Sequence, residues 1–340
     1  MSNGLSLSKR LVGRPRPGVK RRPYKYRVFP AVRRDGIAPP TVFSHLESMK
    51  RLLVLSSVLC LLSSGFAEPT TAPDPIFAYD KSAPFNVQET GRETRGAALV
   101  RDLTFTPADQ AVKAYLVSPA TGSGPHAAIL YVHWLGEAKT TNRTEFLDEA
   151  VALAGRGVVS LLVDTMWAEP GWYKNRVPEE DYTRAIRQVI ELRRAMDLLL
   201  AQPSIDPQRV AFVGHDFGAM YGMIASAQDR RAKTYVFMAA TPHFTDWFLY
   251  RQQPKDLAAY KQQLAPIDPV LFVAKLAPAS VFFQFANKDF YVPPEKAAEF
   301  YAAAGVRKQQ ATYEAGHDLH PPEVAADRVA WLARELGLKP

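Results

Sequence analysis

Cysteine is nearly absent from this chain of 340 residues, which contains only Cys60. A cysteine nucleophile, a thiolate metal site and a disulfide framework are therefore excluded for everything that follows residue 60. The chain also lacks a glycine-rich phosphate loop and a dinucleotide-binding fingerprint, so no nucleotide cofactor is expected. Its apolar run at residues 52–62 is too short to span a bilayer.

Basic charge is concentrated at one end of the chain. The formal net charge is +8, but residues 1–48 contain eleven Lys and Arg against Asp35 and Glu47. Lys50 and Arg51 add two more positive charges, which leaves the remainder mildly acidic, so no nucleic-acid partner is expected. With 47% hydrophobic and 22% charged residues, the chain is typical of a globular protein with one sizeable core.

Residues 49–67 have the layout of a secretory signal peptide. Met49 is followed by two basic residues, the apolar run, and small residues at Gly65 and Ala67. We therefore expect cleavage near Ala67, export to the periplasm or the extracellular space, and no stable membrane insertion afterwards. The Pro- and Arg-rich residues 1–48 have little to bury, which predicts either a disordered basic extension or sequence upstream of a true start at Met49.

Residues 68–95 are rich in Pro, Thr and Ala and are interpreted as a linker or arm, followed by a single domain at 96–340. This domain is predicted to begin with a pair of antiparallel strands, at 98–107 and 112–119, after which apolar runs alternate with helical patterns. That alternation predicts a mainly parallel sheet with helices on both faces. An insertion at about 241–278 is too aromatic for a solvated loop. It predicts a small helical cap at the carboxyl edge of the sheet, or else an ordinary helix packed against the sheet.

The pattern most informative about function lies at residues 209–218. A buried strand is predicted to run into Gly-His-Asp-Phe-Gly and then into a helix, and the glycines on both sides of Asp216 permit a sharp turn. An aspartate here is also a good helix N-cap, but capping alone does not require both Gly214 and Gly218. The pattern therefore predicts that the elbow presents the Asp216 carboxylate as a reactive group.

Two further residues follow Asp216 in the chain order nucleophile, acid, histidine. Asp289 follows the strand predicted at 280–287, and His317 follows the strand predicted at 308–314. Each alone is typical of a turn or surface residue. Together, at the ends of three strands, they predict a catalytic triad.

These motifs, with the Ala-Gly-His sequence at 315–317, resemble the α/β-hydrolase superfamily and most closely its dienelactone-hydrolase-like branch, over about residues 96–338. The resemblance implies an eight-stranded sheet, Asp289 as the triad acid and His317 as the base. In those relatives the nucleophile is cysteine or serine, whereas this Asp elbow resembles that of haloalkane dehalogenases and epoxide hydrolases. The caps of those two families are larger than the insertion here, so their halide-binding tryptophans and tyrosine pair have no assigned counterpart.

An aspartate nucleophile narrows the chemistry. Its attack on an ester carbonyl would form an anhydride that readily reverses, whereas attack on a saturated carbon forms a stable alkyl ester. The sequence therefore predicts a hydrolase with a covalent Asp216-alkyl intermediate, acting on a small apolar substrate of the haloalkane or epoxide type. Two alternatives remain. One is a dienelactone-hydrolase-like carboxylesterase or lactonase with Asp216 as base, and the other is a non-catalytic binding protein, against which the intact His317 and Asp289 count.

The remaining predictions concern the surroundings of Asp216. An oxyanion hole is predicted from two backbone N–H groups, that of Phe217 and one from the loop after the strand predicted at 126–134, which is that of Leu135 or else that of Trp134. The substrate pocket is predicted to be apolar and to include His133, Trp167, Trp172, Phe244 and Trp247. Near His317, Asp318 and His320 offer zinc-ligand types, but no distant ligand completes a set, so neither a metal nor a cofactor is expected. The partner predicted is a small-molecule substrate, and the sequence leaves the oligomeric state open.

Overall fold

The computed structural model describes residues 73–339. The basic extension predicted at 1–48, the signal peptide predicted at 49–67 and the beginning of the arm predicted at 68–95 lie outside the described residues. Within the described range, no helix combines the length and the apolar character needed to cross a membrane.

A mixed sheet of nine strands forms the centre of the described fold, in the order β1-β2-β3-β5-β4-β6-β7-β8-β9. Strands β1, β2 and β3 pair antiparallel, and β3 pairs antiparallel with β5. All other pairs are parallel. The strands are β1 (Gln88–Arg95), β2 (Ala98–Phe105), β3 (Val112–Pro119), β4 (His126–Val132), β5 (Val158–Val163), β6 (Ile205–His215), β7 (Thr234–Met238), β8 (Ser280–Ala286) and β9 (Lys308–Tyr313).

The sheet has one strand more than the predicted eight. The additional strand is β1, inside the segment 68–95 that the composition favours as a linker or arm. It pairs with β2 at the edge of the sheet, and seven of its eight residues are exposed. Because neither face of β1 is buried, its sequence has no apolar alternation to reveal it. Charged side chains cover this edge instead, as where Arg101 pairs with Glu89 at 2.8 Å.

Two groups of helices cover the sheet. Helix α3 packs against α4, and both contact the central strands, whereas α1 and α8 are joined by the buried ion pair of Arg328 and Glu149 at 2.6 Å. Strands β4, β5, β7 and β8 are buried along almost their full length, which explains their continuous apolar runs. The helices are α1 (Leu147–Ala154), α2 (Trp172–Asn175), α3 (Asp181–Leu200), α4 (Phe217–Asp229), α5 (Phe244–Phe248), α6 (Leu257–Leu264), α7 (Pro294–Ala303) and α8 (Pro322–Glu335).

The aromatic insertion at 241–278 is helical, as predicted. It contains α5, α6 and the 3₁₀ turns Ala265–Ile267, Pro269–Leu271 and Val273–Leu276. Helix α5 brings the ring of Trp247 to 5.4 Å from that of His317, while the last two turns pack against α4. The two interpretations of this segment therefore apply to different parts of it, since one end covers the carboxyl edge and the other packs against a helix of the sheet.

Candidate active site

Asp216 lies at a strained turn between β6 and α4. Its backbone has φ 52° and ψ −117°, a combination that residues with a side chain rarely adopt. The side chain is fully buried, and its carboxylate makes no capping hydrogen bond to α4. Helix capping therefore does not account for this aspartate, whereas backbone strain of this kind is typical of functional sites.

The two glycines beside Asp216 are required by close backbone packing. A Cβ atom on Gly214 would lie 2.5 Å from Gly218 O, and one on Gly218 would collide with Val132 O at the end of β4. The absence of side chains at these two positions lets β4, β6 and α4 approach closely. This approach brings the loop that follows β4 against the Asp216 carboxylate.

Gly218→Ala is expected to lower the free energy of unfolding by about 1–3 kcal/mol or more, because backbone atoms rather than a flexible side chain must move. The control is Gly305→Ala, whose new methyl group would meet Ala277 Cβ at an ordinary 3.4 Å. Urea unfolding of the two variants measures the difference. Equal stability of both variants would contradict the close packing described for the elbow.

His317 and Asp289 meet Asp216 at the carboxyl edge of the sheet. His317 Nδ1 lies 2.8 Å from Asp289 Oδ2, and His317 Nε2 lies 3.8 Å from Asp216 Oδ2. The second oxygen of Asp289 accepts hydrogen bonds from the backbone N–H groups of Tyr291 and Val292. The imidazole thus lies between two carboxylates, hydrogen-bonded to one and within ion-pair distance of the other.

The electrostatic environment favours a protonated His317. Burial alone would lower the pKa of His317, but the carboxylates of Asp216 and Asp289 outweigh it and raise the pKa to about 9. Burial would raise the pKa of Asp289, yet its hydrogen bond and ion pair with His317, together with the two backbone N–H groups, lower it. At neutral pH, His317 is therefore an imidazolium with its Nε2 proton on the side of Asp216.

The raised pKa of His317 makes stability depend on pH. Because folding raises this pKa from 6.5 to about 9, the stabilisation is fully present below about pH 6.5 and is lost as the pH rises towards 9. His317→Gln has no imidazolium to stabilise the folded state. The difference in the free energy of unfolding between the wild type and this variant is therefore expected to shrink as the pH rises from about 6.5 to about 9. Urea unfolding below, within and above this pH range tests the prediction, and a constant difference would contradict it.

The three predicted oxyanion-hole residues differ in their contacts. Leu135 N–H donates to Asp216 Oδ2 at 3.2 Å. Trp134 N–H instead donates to Glu145 Oε2 at 2.9 Å. Phe217 is the first residue of α4, where backbone N–H groups have no acceptor within the helix. Of the two loop amides, it is Leu135 that can stabilise negative charge on the Asp216 carboxylate.

Two polar atoms of the predicted triad are shielded from solvent. Asp216 Oδ1 and His317 Nε2 are buried and have no hydrogen-bond partner within residues 73–339. The rings of Trp134, Trp247 and Tyr291, here called the aromatic cover, have centroids 5.7, 5.4 and 5.2 Å from that of His317. Exclusion of water strengthens the interactions among the site's charges.

A cavity of about 310 Å³ opens beside the aromatic cover. Its lining includes His317 and three of the residues predicted for the pocket, Trp167, Trp172 and Trp247. A larger groove of about 770 Å³ lies between β3 and α3 and shares Trp172 with this cavity, but the residues of the predicted triad do not line it. The smaller cavity is therefore the one that adjoins the predicted triad.

Two residues predicted for the pocket lie in the core instead. His133 is 1% exposed, and its ring nitrogens lie 3.0 Å from Thr165 Oγ1 and 2.8 Å from Trp134 O. Burial lowers the pKa of His133. Phe244 is fully buried and stacks on Phe248 at 5.4 Å between ring centroids. The position of a residue after a strand predicts that it lies near the site, but it does not predict which way the ring turns.

Glu145 and His215 also belong to the site, although the sequence assigns neither a role. Glu145 Oε1 lies 2.7 Å from His215 Nδ1, and His215 Nε2 lies 3.0 Å from His317 O. The elbow motif contains His215, so a signal for it was present in the sequence. Glu145 lies just before α1, and no motif surrounds it.

In the part of the chain that the structure describes, no group of three or more His, Cys, Asp or Glu side chains is arranged to hold a metal ion. His320, which the sequence suggests as a zinc-type ligand, lies 2.6 Å from Asp318 at the surface. His317 faces Asp289 instead, so the histidines of this loop do not converge.

No protein-family model matches the chain. Among curated proteins, polyketide transferase ATR5 of Stachybotrys chlorohalonatus is 32% identical over 99 residues, which are 28% of this chain and 31% of that protein. The chain therefore aligns with less than a third of that relative's length.

Solved structures resemble the chain over most of its length. The acetyl xylan esterase of Paenibacillus sp. R4 has a TM-score of 0.62 at 16% identity, covering 74% of this chain and 89% of its own. The acetyl xylan esterase 1 of Thermoanaerobacterium sp. JW/SL YS485 has a TM-score of 0.61 at 17% identity, and the match covers 77% of this chain and 91% of that protein. The putative dienelactone hydrolase of Klebsiella pneumoniae has a TM-score of 0.54 at 15% identity, and the match covers 71% of this chain and 99% of that protein. This chain has the α/β-hydrolase fold.

The α/β-hydrolase fold confirms the predicted fold class, with β2 to β9 as the eight predicted strands and β1 as an addition at the edge. At 15–17% identity the similarity concerns the fold alone. The predicted roles of Asp216, Asp289 and His317, and the resemblance of the elbow to that of haloalkane dehalogenases, stay predictions.

Proposed function

We propose that this protein is a hydrolase of small carboxylic esters or lactones in which Asp216 acts as a general base. Among the functions that the sequence predicts, this is the alternative to the covalent alkyl mechanism. It is favoured because the similar solved proteins are named as esterases and as a putative dienelactone hydrolase. An acid–base route also avoids the reversible anhydride that an aspartate nucleophile would form with an ester.

The observation that carries the proposal is a pair of buried atoms with complementary chemistry. Asp216 Oδ1 is an acceptor and the Nε2–H of the His317 imidazolium is a donor, and neither has a hydrogen-bond partner within residues 73–339. A water molecule that donates to Asp216 Oδ1 and an ester oxygen that accepts from His317 Nε2–H would satisfy both atoms. Leaving buried polar atoms unpaired is costly, so such a pair favours binding of a polar, hydrolysable group.

The reaction follows from these two atoms. Asp216 Oδ1 removes a proton from water as the water oxygen bonds to the acyl carbon of the ester. His317 Nε2–H stabilises the carbonyl oxygen and then donates its proton to the leaving alkoxide as the acyl C–O bond breaks. Transfer of the proton from Asp216 to His317 then restores both groups. Asp289 holds the imidazole in position throughout.

A second function, the covalent alkyl mechanism, is favoured by the Leu135 contact. Leu135 N–H donates to Asp216 Oδ2, where negative charge would develop if water attacked an Asp216-alkyl ester. Alkylation would also remove the charge of Asp216, and with it one of the two carboxylates that raise the pKa of His317. The imidazole would then be easier to deprotonate and could activate the water.

The purified wild type and His317→Gln, incubated separately with esters, lactones, haloalkanes and epoxides, distinguish the two functions. The proposal expects turnover of esters or lactones by the wild type, and an unchanged intact mass for both proteins. An alkyl adduct on Asp216 in His317→Gln would replace the proposal by the covalent mechanism. Absence of turnover with all four classes would contradict both.

A further inference from the structure

A second carboxylate–imidazole pair lies directly beneath the predicted triad. His215 is fully buried, and the Glu145 side chain is 16% exposed. The His215 ring stacks on Trp134 at 5.3 Å and lies 5.8 Å from the His317 ring, measured between centroids. None of the proposed chemical steps uses this pair, although it contacts two of the loops that form the site.

Both hydrogen-bond partners of His215 are acceptors. Glu145 Oε1 lies 2.7 Å from Nδ1, and the backbone carbonyl of His317 lies 3.0 Å from Nε2. A neutral imidazole has one donor and one acceptor nitrogen, so it satisfies only one of these partners unless Glu145 itself carries a proton. An imidazolium with an ionised Glu145, and a neutral imidazole with a protonated Glu145, both satisfy the full set of contacts, and in both arrangements His215 Nε2–H donates to His317 O.

The pair connects two groups that surround Asp216. Through Oε2, Glu145 accepts from Trp134 N–H at 2.9 Å, which fixes the loop whose next amide, that of Leu135, donates to Asp216. Through Nε2, His215 donates to the backbone carbonyl of His317 at 3.0 Å.

We propose that Glu145 and His215 are positioning residues, which act as one hydrogen-bonded pair to set the distances of Leu135 N and His317 Nε2 from Asp216. The kinetic consequence rests on the proposed function, whereas the hydrogen-bond arrangement does not. A displacement of about 1 Å in such a site lowers catalysis by about 10²-fold.

The test compares two substitutions of Glu145. Glu145→Ala removes the pair and is expected to lower kcat for ester hydrolysis by about 10- to 100-fold with little change in KM. Glu145→Gln is expected to stay within about threefold of the wild type. Its amide oxygen accepts from Trp134 N–H, while its NH₂ group donates to Nδ1 of a neutral His215 that still donates to His317 O. Glu179→Ala, at an exposed position away from the site, is the matched control.

Nuclear magnetic resonance provides a readout that needs no substrate. Ring ¹⁵N signals of His215 are expected to show a protonated Nε2, the donor to His317 O, both in the wild type and in Glu145→Gln. The amide signal of Leu135 is expected to move in Glu145→Ala and to stay close to its wild-type position in Glu145→Gln. Thermal unfolding of each variant shows whether it is folded under the conditions of the assay.

Three results would overturn the proposal. They are full activity in a folded Glu145→Ala, an equal loss of activity in Glu145→Gln and Glu145→Ala, and an unmoved Leu135 amide signal in Glu145→Ala. Failure of the proposed function gives a different result. In that case the wild type does not hydrolyse esters at all, and the His215 and Leu135 signals alone decide whether the pair positions the site.

Discussion

Asp216→Asn is expected to lower kcat for ester or lactone hydrolysis by about 10²- to 10⁴-fold, the range that general acid–base catalysis contributes. The asparagine has the same shape, and its carbonyl oxygen still accepts from Leu135 N–H. Its amide cannot take a proton from water, so the chemical step fails while substrate binding persists. Steady-state kinetics with the best ester of the panel measure the effect, which is expected in kcat and not in KM.

The matched control for Asp216→Asn is Asp318→Asn, the same chemical change at a partly exposed carboxylate one residue after His317. This control is expected to retain wild-type kcat. Thermal unfolding verifies that both variants are folded. Ester turnover by Asp216→Asn at the wild-type rate would eliminate Asp216 as base and also as nucleophile.

His317→Gln is expected to lower kcat for esters by a similar factor of about 10²–10⁴, because the leaving alkoxide loses its proton donor. A related prediction concerns how the rate of ester hydrolysis by the wild type depends on pH. His317 is protonated below its pKa of about 9, so ester hydrolysis by the acid–base route is expected to decline as the pH rises through 9. The covalent route needs a neutral His317 and predicts the opposite, a rate that rises with pH.

His320→Gln is the control for His317→Gln, because it changes the same residue type on a 77% exposed side chain three positions away. It is expected to leave both the rate and the pH profile unchanged. A profile for esters that rises through pH 9 and is unaltered in His317→Gln would exclude His317 as the proton donor.

The elbow and its two partners could be predicted because each follows a strand at the same edge of the sheet. The glycines on either side of Asp216 indicate a tight turn in the sequence, and in the structure a Cβ atom at Gly214 or Gly218 would collide with backbone atoms. The chain order of Asp289 and His317 then places them near Asp216 by topology alone. The local features that sequence patterns report are those imposed by the backbone.

The features that could not be predicted depend on side-chain direction and on contacts between distant segments. Strand β1 has no apolar face, since it lies at an exposed edge, so the pattern that reveals buried strands is missing. His133 and Phe244 follow strands of the site but turn into the core. Glu145 contacts His215 across 70 positions of sequence, and nothing in its own neighbourhood indicates that contact.

The aromatic cover could be predicted from the sequence only in part. The sequence predicts that Trp247 lines the pocket because aromatic residues cluster on the loops expected at this edge of the sheet, and Trp247 lines the cavity in the structure. Tyr291, two residues after Asp289, stacks on Trp247 at 4.7 Å and is 39% exposed, so its sequence position resembles that of any surface tyrosine. Only the packing of the two loops shows that these rings together shield His317.

A single turnover in H₂¹⁸O tests most directly whether Asp216 acts as a base on an ester. Excess enzyme is mixed with the ester, and the product acid and the peptide that contains Asp216 are analysed by mass spectrometry. The proposed route predicts one ¹⁸O atom in the product acid and none in Asp216. Label in the Asp216 carboxylate, with or without label in the acid, would contradict it and establish a covalent bond between Asp216 and the substrate.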